Sequence, residues 1–342
     1  MSGSAPDSNP LRHVARPRSP NVRFVDDHVD YRCRHGLVAL DRFRRGSTAI
    51  YLDNDLFGGE DRDYTNGLRW SWLSKPMNPL EVDGLPPLTR IFDHPFFGNR
   101  SDASYSYGLS ITQLMFTPYD KWSSDQPEGE RRYAGWLGIG VSLHARDERV
   151  LNSLEFVLGT TGSNSLADKS QDAVHGIINA DEFNGWNNQI PNEVTADLSF
   201  TQKHRFDFGL MSSEDYRVDG MVEWGARLGT FRTAAHLGAS FRGGYNLAPD
   251  FSDLRLSETA YAHPTPREGR FIALGFSAYF IAGATVRGIA HDATLDGPMF
   301  RDFDTGNTRE PVVAEVHAGV GLSFREIELS YLHTWRTDEY EE

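Results

Sequence analysis

The chain has 342 residues, a formal net charge of −14 and a single cysteine, Cys33. This length allows one large all-β domain or two ordinary domains. The acidic balance argues against a nucleic-acid-binding protein, and one cysteine excludes an intrachain disulfide. The sequence contains no run of about 18 apolar residues, which predicts no transmembrane helix; a transmembrane β-barrel stays open, because its strands alternate between apolar and polar residues.

Residues 1–46 are rich in Arg, Asp and Pro and show little periodicity, which predicts a poorly ordered N-terminal arm. No apolar segment of the signal-peptide type follows Met1. A protein of the outer membrane is expected to be made with such a signal. Three interpretations stay open: the signal was removed, the start is misassigned, or the protein is not exported.

The second region, residues 47–342, reads as strand after strand, with turn signals between them. Its candidate strands are 47–57, 64–74, 105–117, 133–146, 151–160, 193–206, 216–230, 231–243, 268–290, 311–324 and 325–337. Segment 268–290 is long enough to contain two strands. Consecutive strands with short turns predict an all-β fold, an antiparallel up-and-down transmembrane barrel, for which an even number makes about twelve strands the expected count.

The strand faces are unlike. In segment 311–324, Val316 and Val320 fall on an apolar face, whereas Glu315 and His317 fall on the opposite face. A membrane barrel with a polar lumen and a soluble barrel with an apolar interior both alternate, so this pattern leaves both open. Tryptophans near strand ends favour a girdle at membrane interfaces over buried core positions; they are Trp70, Trp72, Trp136, Trp224 and Trp335.

Polar residues flank the first hairpin. Asn54 and Asp55 end one strand, and Thr65 and Asn66 begin the next. A hairpin brings such oxygen-bearing side chains together at the rim of a sheet, which is the geometry of a calcium or polar-substrate site. Ordinary turn chemistry is the alternative, because Asn and Asp are common at hairpin ends.

One segment breaks the β pattern. Residues 165–179 predict a short helix in a rim loop, with Ser165 and Asp168 resembling a capping box. Gln171 and His175 are four residues apart and therefore share one face of this helix. Because Asp181 and Glu182 follow closely, a carboxylate could orient the imidazole, which makes His175 the candidate general base. A surface histidine in a polar loop is the alternative.

A pair of arginines, Arg131 and Arg132, precedes another strand and could bind a phosphate through its guanidinium groups; a solvated loop end is the alternative.

Six short motifs occur in a fixed order and together resemble the LpxR-type lipid A 3'-O-deacylase family over roughly residues 47–337. They are Asn54-Asp55-Leu56-Phe57, Asp63-Tyr64-Thr65-Asn66-Gly67-Leu68, Gln113-Leu114-Met115-Phe116-Thr117-Pro118, Arg132-Tyr133-Ala134-Gly135-Trp136, Gln171-Asp172-Ala173-Val174-His175 and Gly185-Trp186-Asn187-Asn188-Gln189-Ile190. The resemblance implies a twelve-stranded outer-membrane barrel with its site near the outer rim, between the wall and a loop helix.

The resemblance also implies a function: calcium-dependent hydrolysis of the ester that links a 3'-acyloxyacyl chain to lipid A of lipopolysaccharide. It implies catalytic roles for His175, Gln171, Asn54 and either Asp181 or Glu182. Asn54, Asp55 and Thr65 would hold Ca²⁺, and Arg131 or Arg132 would approach a phosphate of lipid A.

The expected partners are lipopolysaccharide and outer-membrane lipids, and a monomer is expected because a closed barrel needs no partner. The alternative functions are a non-enzymatic outer-membrane barrel, structural or pore-like, and a soluble lipid-binding barrel.

Overall fold

The computed structural model describes residues 31–34, 46–54, 66–77, 103–118, 120, 129–178, 183–209, 213, 215–252, 255, 275–324 and 327–341. Most of the predicted arm, residues 1–46, therefore lies outside the described residues, as do Asp55, Thr65, Asp181 and Glu182. The boundary between an arm and a catalytic barrel domain stays a prediction.

The described chain is mostly β-strand. In chain order the strands are β1 (Tyr31–Arg34), β2 (Gly46–Asn54), β3 (Asn66–Ser74), β4 (Ser104–Phe116), β5 (Ala134–Arg146), β6 (Val150–Thr161), β7 (Val194–Asp207), β8 (Tyr216–Gly229), β9 (Arg232–Tyr245), β10 (Phe276–Asp292), β11 (Thr308–Arg309), β12 (Val312–Phe324), β13 (Ile327–Arg336) and β14 (Tyr340–Glu341). Helix α1 (Ala167–Ile178) follows a short 3-10 turn, Gly162–Ser165, and precedes another, Gly185–Asn188. Among the described residues, no helix is long and apolar enough to cross a membrane.

One curled sheet contains twelve of these strands, in the order β1-β13-β12-β10-β9-β8-β7-β6-β5-β4-β3-β2. The predicted antiparallel barrel is confirmed: eleven strands pair antiparallel with their neighbours in the chain. The segment 268–290 does not divide, because β10 is one strand of 17 residues. The twelfth strand is β1, which pairs in parallel with β13 from Tyr31↔Ile327 to Arg34↔Ser330.

The parallel pair lies at the seam between the first and the last of the antiparallel strands. Because eleven strands alternate in direction, β2 and β13 run the same way. A strand at this seam is therefore either parallel to both β2 and β13 or antiparallel to both, and β1 runs parallel to β13.

The two faces of the sheet alternate as the sequence predicts, with polar residues inside. On β12, Glu315 and His317 are 7% and 1% exposed, whereas Val316 and Val320 are 54% and 50% exposed. A soluble lipid-binding barrel needs the reverse arrangement, an apolar interior and a polar exterior, so that alternative is wrong. An apolar exterior around a polar lumen is the arrangement of a barrel that faces lipid.

One tryptophan departs from the predicted girdle. Trp136 is buried inside the barrel, where its ring stacks on Phe231 with centroids 4.5 Å apart. Gly138 makes room for it, since an added Cβ there would lie 2.5 Å from the indole. Trp335 is exposed on the outer face. The pattern of alternation fixed the position of Trp136 on one face but did not say which face is the interior.

Charged side chains fill the lumen and bind one another. Arg242 is fully buried and donates hydrogen bonds to both carboxylate oxygens of Asp219, at 2.9 and 2.7 Å, and to Asp250, at 2.6 Å. Lys203 forms a 3.0 Å ion pair with Glu223. Such pairs offset the cost of removing charges from water.

Residues 246–252 and Arg255, which follow β9, lie at the lower end of this lumen, the end at which β9 finishes. Asp250 belongs to this segment, and Arg255 extends to Glu223 and Thr285. Phe251 packs in a buried cluster with Leu151. The segment therefore occupies the lower part of the interior.

Candidate functional site

Helix α1 lies on the outer face of the wall at the upper rim, the end at which β2 finishes and β3 begins. Outward-facing Met115 on β4 is only 4% exposed there, whereas Ile111 on the same strand and Ile139 on β5 are 46% and 62% exposed. A Cβ added to Gly135 would collide with the Ser165 side chain and lie 2.6 Å from Ala167 Cβ. The helix therefore rests on the wall above an apolar, lipid-facing surface.

The start of α1 is fixed by backbone and side-chain hydrogen bonds. Gln113 on β4 donates from Nε2 to the Ser165 carbonyl at 2.7 Å. The Ser165 hydroxyl donates to the Gly162 carbonyl at 2.6 Å, so Ser165 lies in the preceding 3-10 turn. Leu166 adopts the left-handed conformation, φ 57°, and the helix begins at Ala167. The predicted helix is present, but its start differs from the predicted capping box.

The turn Gly185–Asn188 packs against the same part of the wall. Trp186 is 7% exposed, and its ring lies 5.0 Å from that of Tyr133. Gly185 is required because a Cβ there would meet the Tyr133 ring. Burial raises the pKa of Tyr133 to about 12, against an opposing hydrogen bond with the Gly185 backbone. Tyr133 is therefore protonated at neutral pH and serves as a support.

Two predicted site residues of α1 contact this turn or the residues just before it. Gln171 is 5% exposed, and its Oε1 accepts a 2.5 Å hydrogen bond from Trp186 Nε1. His175 is partly buried one turn further along, with its ring edge-on to Phe183 at a centroid distance of 4.8 Å. The helix thus places an amide and an imidazole one turn apart, as their spacing predicts. No role for Trp186 is predicted from the sequence, although the motif around it contributes to the family resemblance.

A row of paired residues runs across the sheet from the hairpin of β2 and β3 to the strands beneath the helix. Asn54 pairs with Asn66, Asn66 with Met115, and Met115 with Gly135 beneath the helix. Asn66 Oδ1 is buried and finds no hydrogen-bond partner within the described part of the chain. An amide oxygen of this kind suits a hard cation, so Asn66 is compatible with the predicted calcium ligands of this hairpin.

The metal ligands and acidic residues stay predictions. Asp55, Thr65, Asp181 and Glu182 lie outside the described residues, and of Asn54 only the backbone is described. Within the ranges that the structure describes, no group of three or more His, Cys, Asp or Glu residues could hold a metal ion.

The two predicted phosphate-binding arginines are placed differently. Arg131 is fully buried and donates hydrogen bonds to Glu339 at 2.7 Å and Thr294 at 2.6 Å. The Arg131 guanidinium therefore ties the strand start to the C-terminal segment, and its predicted approach to a phosphate stays a prediction. Arg132 is partly buried over the Phe303 ring and stays the candidate for a phosphate.

The fold and this rim define a class of protein: a membrane-spanning antiparallel β-barrel that carries a helix with a glutamine and a histidine on its lipid-facing side. The chain belongs to the family described as outer membrane protein LpxR, whose family model matches residues 35–342. The solved structure of LpxR from Salmonella typhimurium is similar, with a TM-score of 0.65 and 19% sequence identity. The match covers 86% of this chain and 94% of the Salmonella chain. A search of curated proteins returned no match.

Proposed function

We propose that this chain is an outer-membrane ester hydrolase that removes a 3'-acyloxyacyl chain from lipid A. One observation carries the proposal. The helix that bears Gln171 and His175 lies outside the wall, immediately above exposed Ile111 and Ile139. A lipid in the adjacent leaflet could therefore place its acyl chains on that surface and its ester at the level of the helix.

The proposed reaction uses His175 as a general base. The imidazole takes a proton from water as the water oxygen attacks the ester carbonyl carbon. The bond from that carbon to the sugar oxygen then breaks, and protonated His175 returns the proton to the leaving oxygen. Asp181 or Glu182 would orient the ring and stabilise its protonated form. The products are the free acyloxyacyl carboxylic acid and a sugar hydroxyl.

Asn54, Asp55 and Thr65 would hold the calcium ion, which when bound would act as a Lewis acid toward the ester oxygen. Asn66, whose buried Oδ1 lies in the same row, fits that donor set. Arg132 would bind a phosphate of lipid A, since a guanidinium matches the geometry of phosphate oxygens. These residues position the lipid, and His175 moves the proton.

The rival is a non-enzymatic barrel. The pore-like version is disfavoured by the charged pairs and by the segment of Asp250 and Arg255 that occupies the lumen. The structural version remains, and it differs from the proposal in having no effect on lipid A.

The deciding experiment is mass spectrometry of lipid A incubated with the refolded full chain in detergent, with calcium or with a chelator. We expect loss of one acyloxyacyl unit in calcium alone. Folding is checked by the shift in electrophoretic mobility on heating. Unchanged lipid A in both samples, from folded protein, would contradict the hydrolase and favour the structural barrel.

A further inference from the structure

We infer that Trp186 is a positioning residue, which fixes the Gln171 side chain so that its amide nitrogen faces the reacting ester as a hydrogen-bond donor. The inference rests on the proposed function for its catalytic meaning. Its geometric part, the orientation of an amide by an indole, stands on the contacts of the rim alone.

The chemistry of the indole sets this orientation. The Trp186 Nε1–H group can only donate a hydrogen bond, so the Gln171 atom 2.5 Å away must be the amide oxygen. Rotating the amide by 180° would bring two donors face to face in a site where both residues are less than 10% exposed. An unpaired donor pair in such a place is costly. Gln171 therefore keeps Nε2 as the group that it can offer to a ligand.

The wall holds the indole itself in place. Trp186 packs on Tyr133, and Gly185 fits against the same ring. The chain then returns to Tyr133, whose carbonyl accepts a 2.9 Å hydrogen bond from the Ile190 backbone. Both sides of the turn are thus attached to the residue that precedes β5. Gln171 is positioned by the rigid barrel and not by the loop alone.

An amide that donates has a specific use in ester hydrolysis. Negative charge develops on the carbonyl oxygen when water attacks, and a fixed N–H group stabilises it. His175 lies one turn along the same helix, so the base and this donor would approach the ester from one side. Gln171 would then stabilise the oxyanion, whereas a glutamine oriented the other way would accept a hydrogen bond from the attacking water.

The test is Trp186→Phe in the full chain, which keeps an aromatic ring against Tyr133 and removes the N–H group. We expect kcat for lipid A deacylation to fall about tenfold with KM unchanged, and Gln171→Ala to lower kcat about a hundredfold. In the Gln171→Ala background, Trp186→Phe should cause no further loss, because the indole acts through the amide.

The chain offers a matched control. Trp224 on β8 also donates from Nε1 to a glutamine amide oxygen, that of Gln202, at 3.2 Å. Trp224→Phe makes the same chemical change far along the sheet and should leave kcat unchanged. Additive losses in the double variant, or an equal loss in Trp224→Phe, would overturn the inference, since either result indicates a general packing effect.

A second readout needs no activity. In protein labelled with ¹⁵N-tryptophan, the Trp186 indole proton should move upfield in Gln171→Ala, while the Trp224 signal stays in place. An unmoved Trp186 signal would refute the pairing whatever the enzyme does. If the Trp186 signal shifts in Gln171→Ala but the wild-type chain leaves lipid A intact, the pairing is supported and the proposed function is contradicted.

Discussion

The lumen and the upper rim of this barrel both contain charged and polar side chains, but the two regions differ in how completely these side chains are paired. In the lumen buried Arg242 binds both Asp219 and Asp250, and Arg205 lies 3.7 Å from Asp219 as a second cation. At the rim, Asn66 keeps a buried oxygen without a partner among the described residues, and Gln171 is fixed through one of its two polar atoms. The density of ionisable groups therefore does not locate function here. Two features distinguish the site: whether a polar side chain already has a protein partner, and whether it faces the lumen or the lipid.

The difference has a physical origin. Lumen-facing cations lie beside lumen-facing anions, as Arg242 lies beside Asp219 on the neighbouring strand, so the pairing offsets the cost of removing both charges from water. Residues at the rim lie on the outside of the wall, where α1 covers them on one side only. A lipid can reach that surface by lateral diffusion, without entering the barrel. Substitutions in the two regions should therefore have separable effects, on stability in one and on catalysis in the other.

The largest expected effect is on catalysis at the rim. His175→Ala should lower deacylation about a thousandfold, because the reaction loses its general base, while the heating-dependent mobility shift stays that of the wild type. Rates are measured by mass spectrometry of lipid A. The matched control is His333→Ala, since His333 also contacts an aromatic ring edge-on, that of Trp335 at 4.4 Å. Equal losses in both variants would indicate a general effect of removing a histidine from the outer face, and would contradict His175 as the base.

Next in size is a stability effect in the lumen. Arg242→Met leaves two buried carboxylates without their main partner and should lower the free energy of unfolding by about 3–5 kcal/mol, with kcat unchanged. Urea titration in detergent measures this. Arg217→Met is the control, because Arg217 is 34% exposed beside Asp207 and its pair should contribute less than about 1 kcal/mol. A fall in kcat without a loss of stability would show that the lumen takes part in the site.

A smaller effect is expected where the helix meets the wall. Gly135→Ala adds a methyl group against Ser165 and Ala167, which must shift α1 outward. A displacement of about 1 Å can cost up to a hundredfold in rate, so kcat should fall while barrel stability changes little. Gly176→Ala is the control, since an added Cβ on that face of α1 meets nothing within 4 Å. Full activity in Gly135→Ala would show that the placement of the helix does not govern the reaction.

The smallest effect depends on pH. Burial alone would raise the pKa of Glu339, but Arg336 and Arg131 outweigh it and hold that pKa well below the ordinary 4.5. The ionised Glu339 carboxylate, bound by Arg336 and Arg131, therefore stabilises the fold above pH 4.5. This stabilisation is lost as the pH falls toward the pKa of Glu339 in the folded state. Glu339→Gln should lower stability at pH 7 by about 1–2 kcal/mol, with a difference that shrinks below pH 4.5.

Thermal melts from pH 7 to pH 2 measure this effect, and Glu341→Gln, an exposed change two residues away, is the control. A difference that is constant with pH would indicate that the ionisation of Glu339 is not involved.

Much of this protein was determined by its sequence through local rules. Period-two alternation sets strands and faces, so the segments that predict β2 to β10, β12 and β13 are strands, and the spacing of Gln171 and His175 places them on one turn of a helix. Those features depend on neighbours within a few residues, where backbone geometry alone decides.

Only the tertiary structure decided which face meets lipid, and which partners meet across the barrel. Trp136 turned inward because the two glycines Gly138 and Gly159 leave space on that face. Arg131 is buried because Glu339, 208 residues away, lies beside it. Trp186 meets Gln171 because the turn that carries Trp186 packs on Tyr133. Such contacts form when distant strands close into one sheet, and alternation is the same whichever side of the wall faces the membrane.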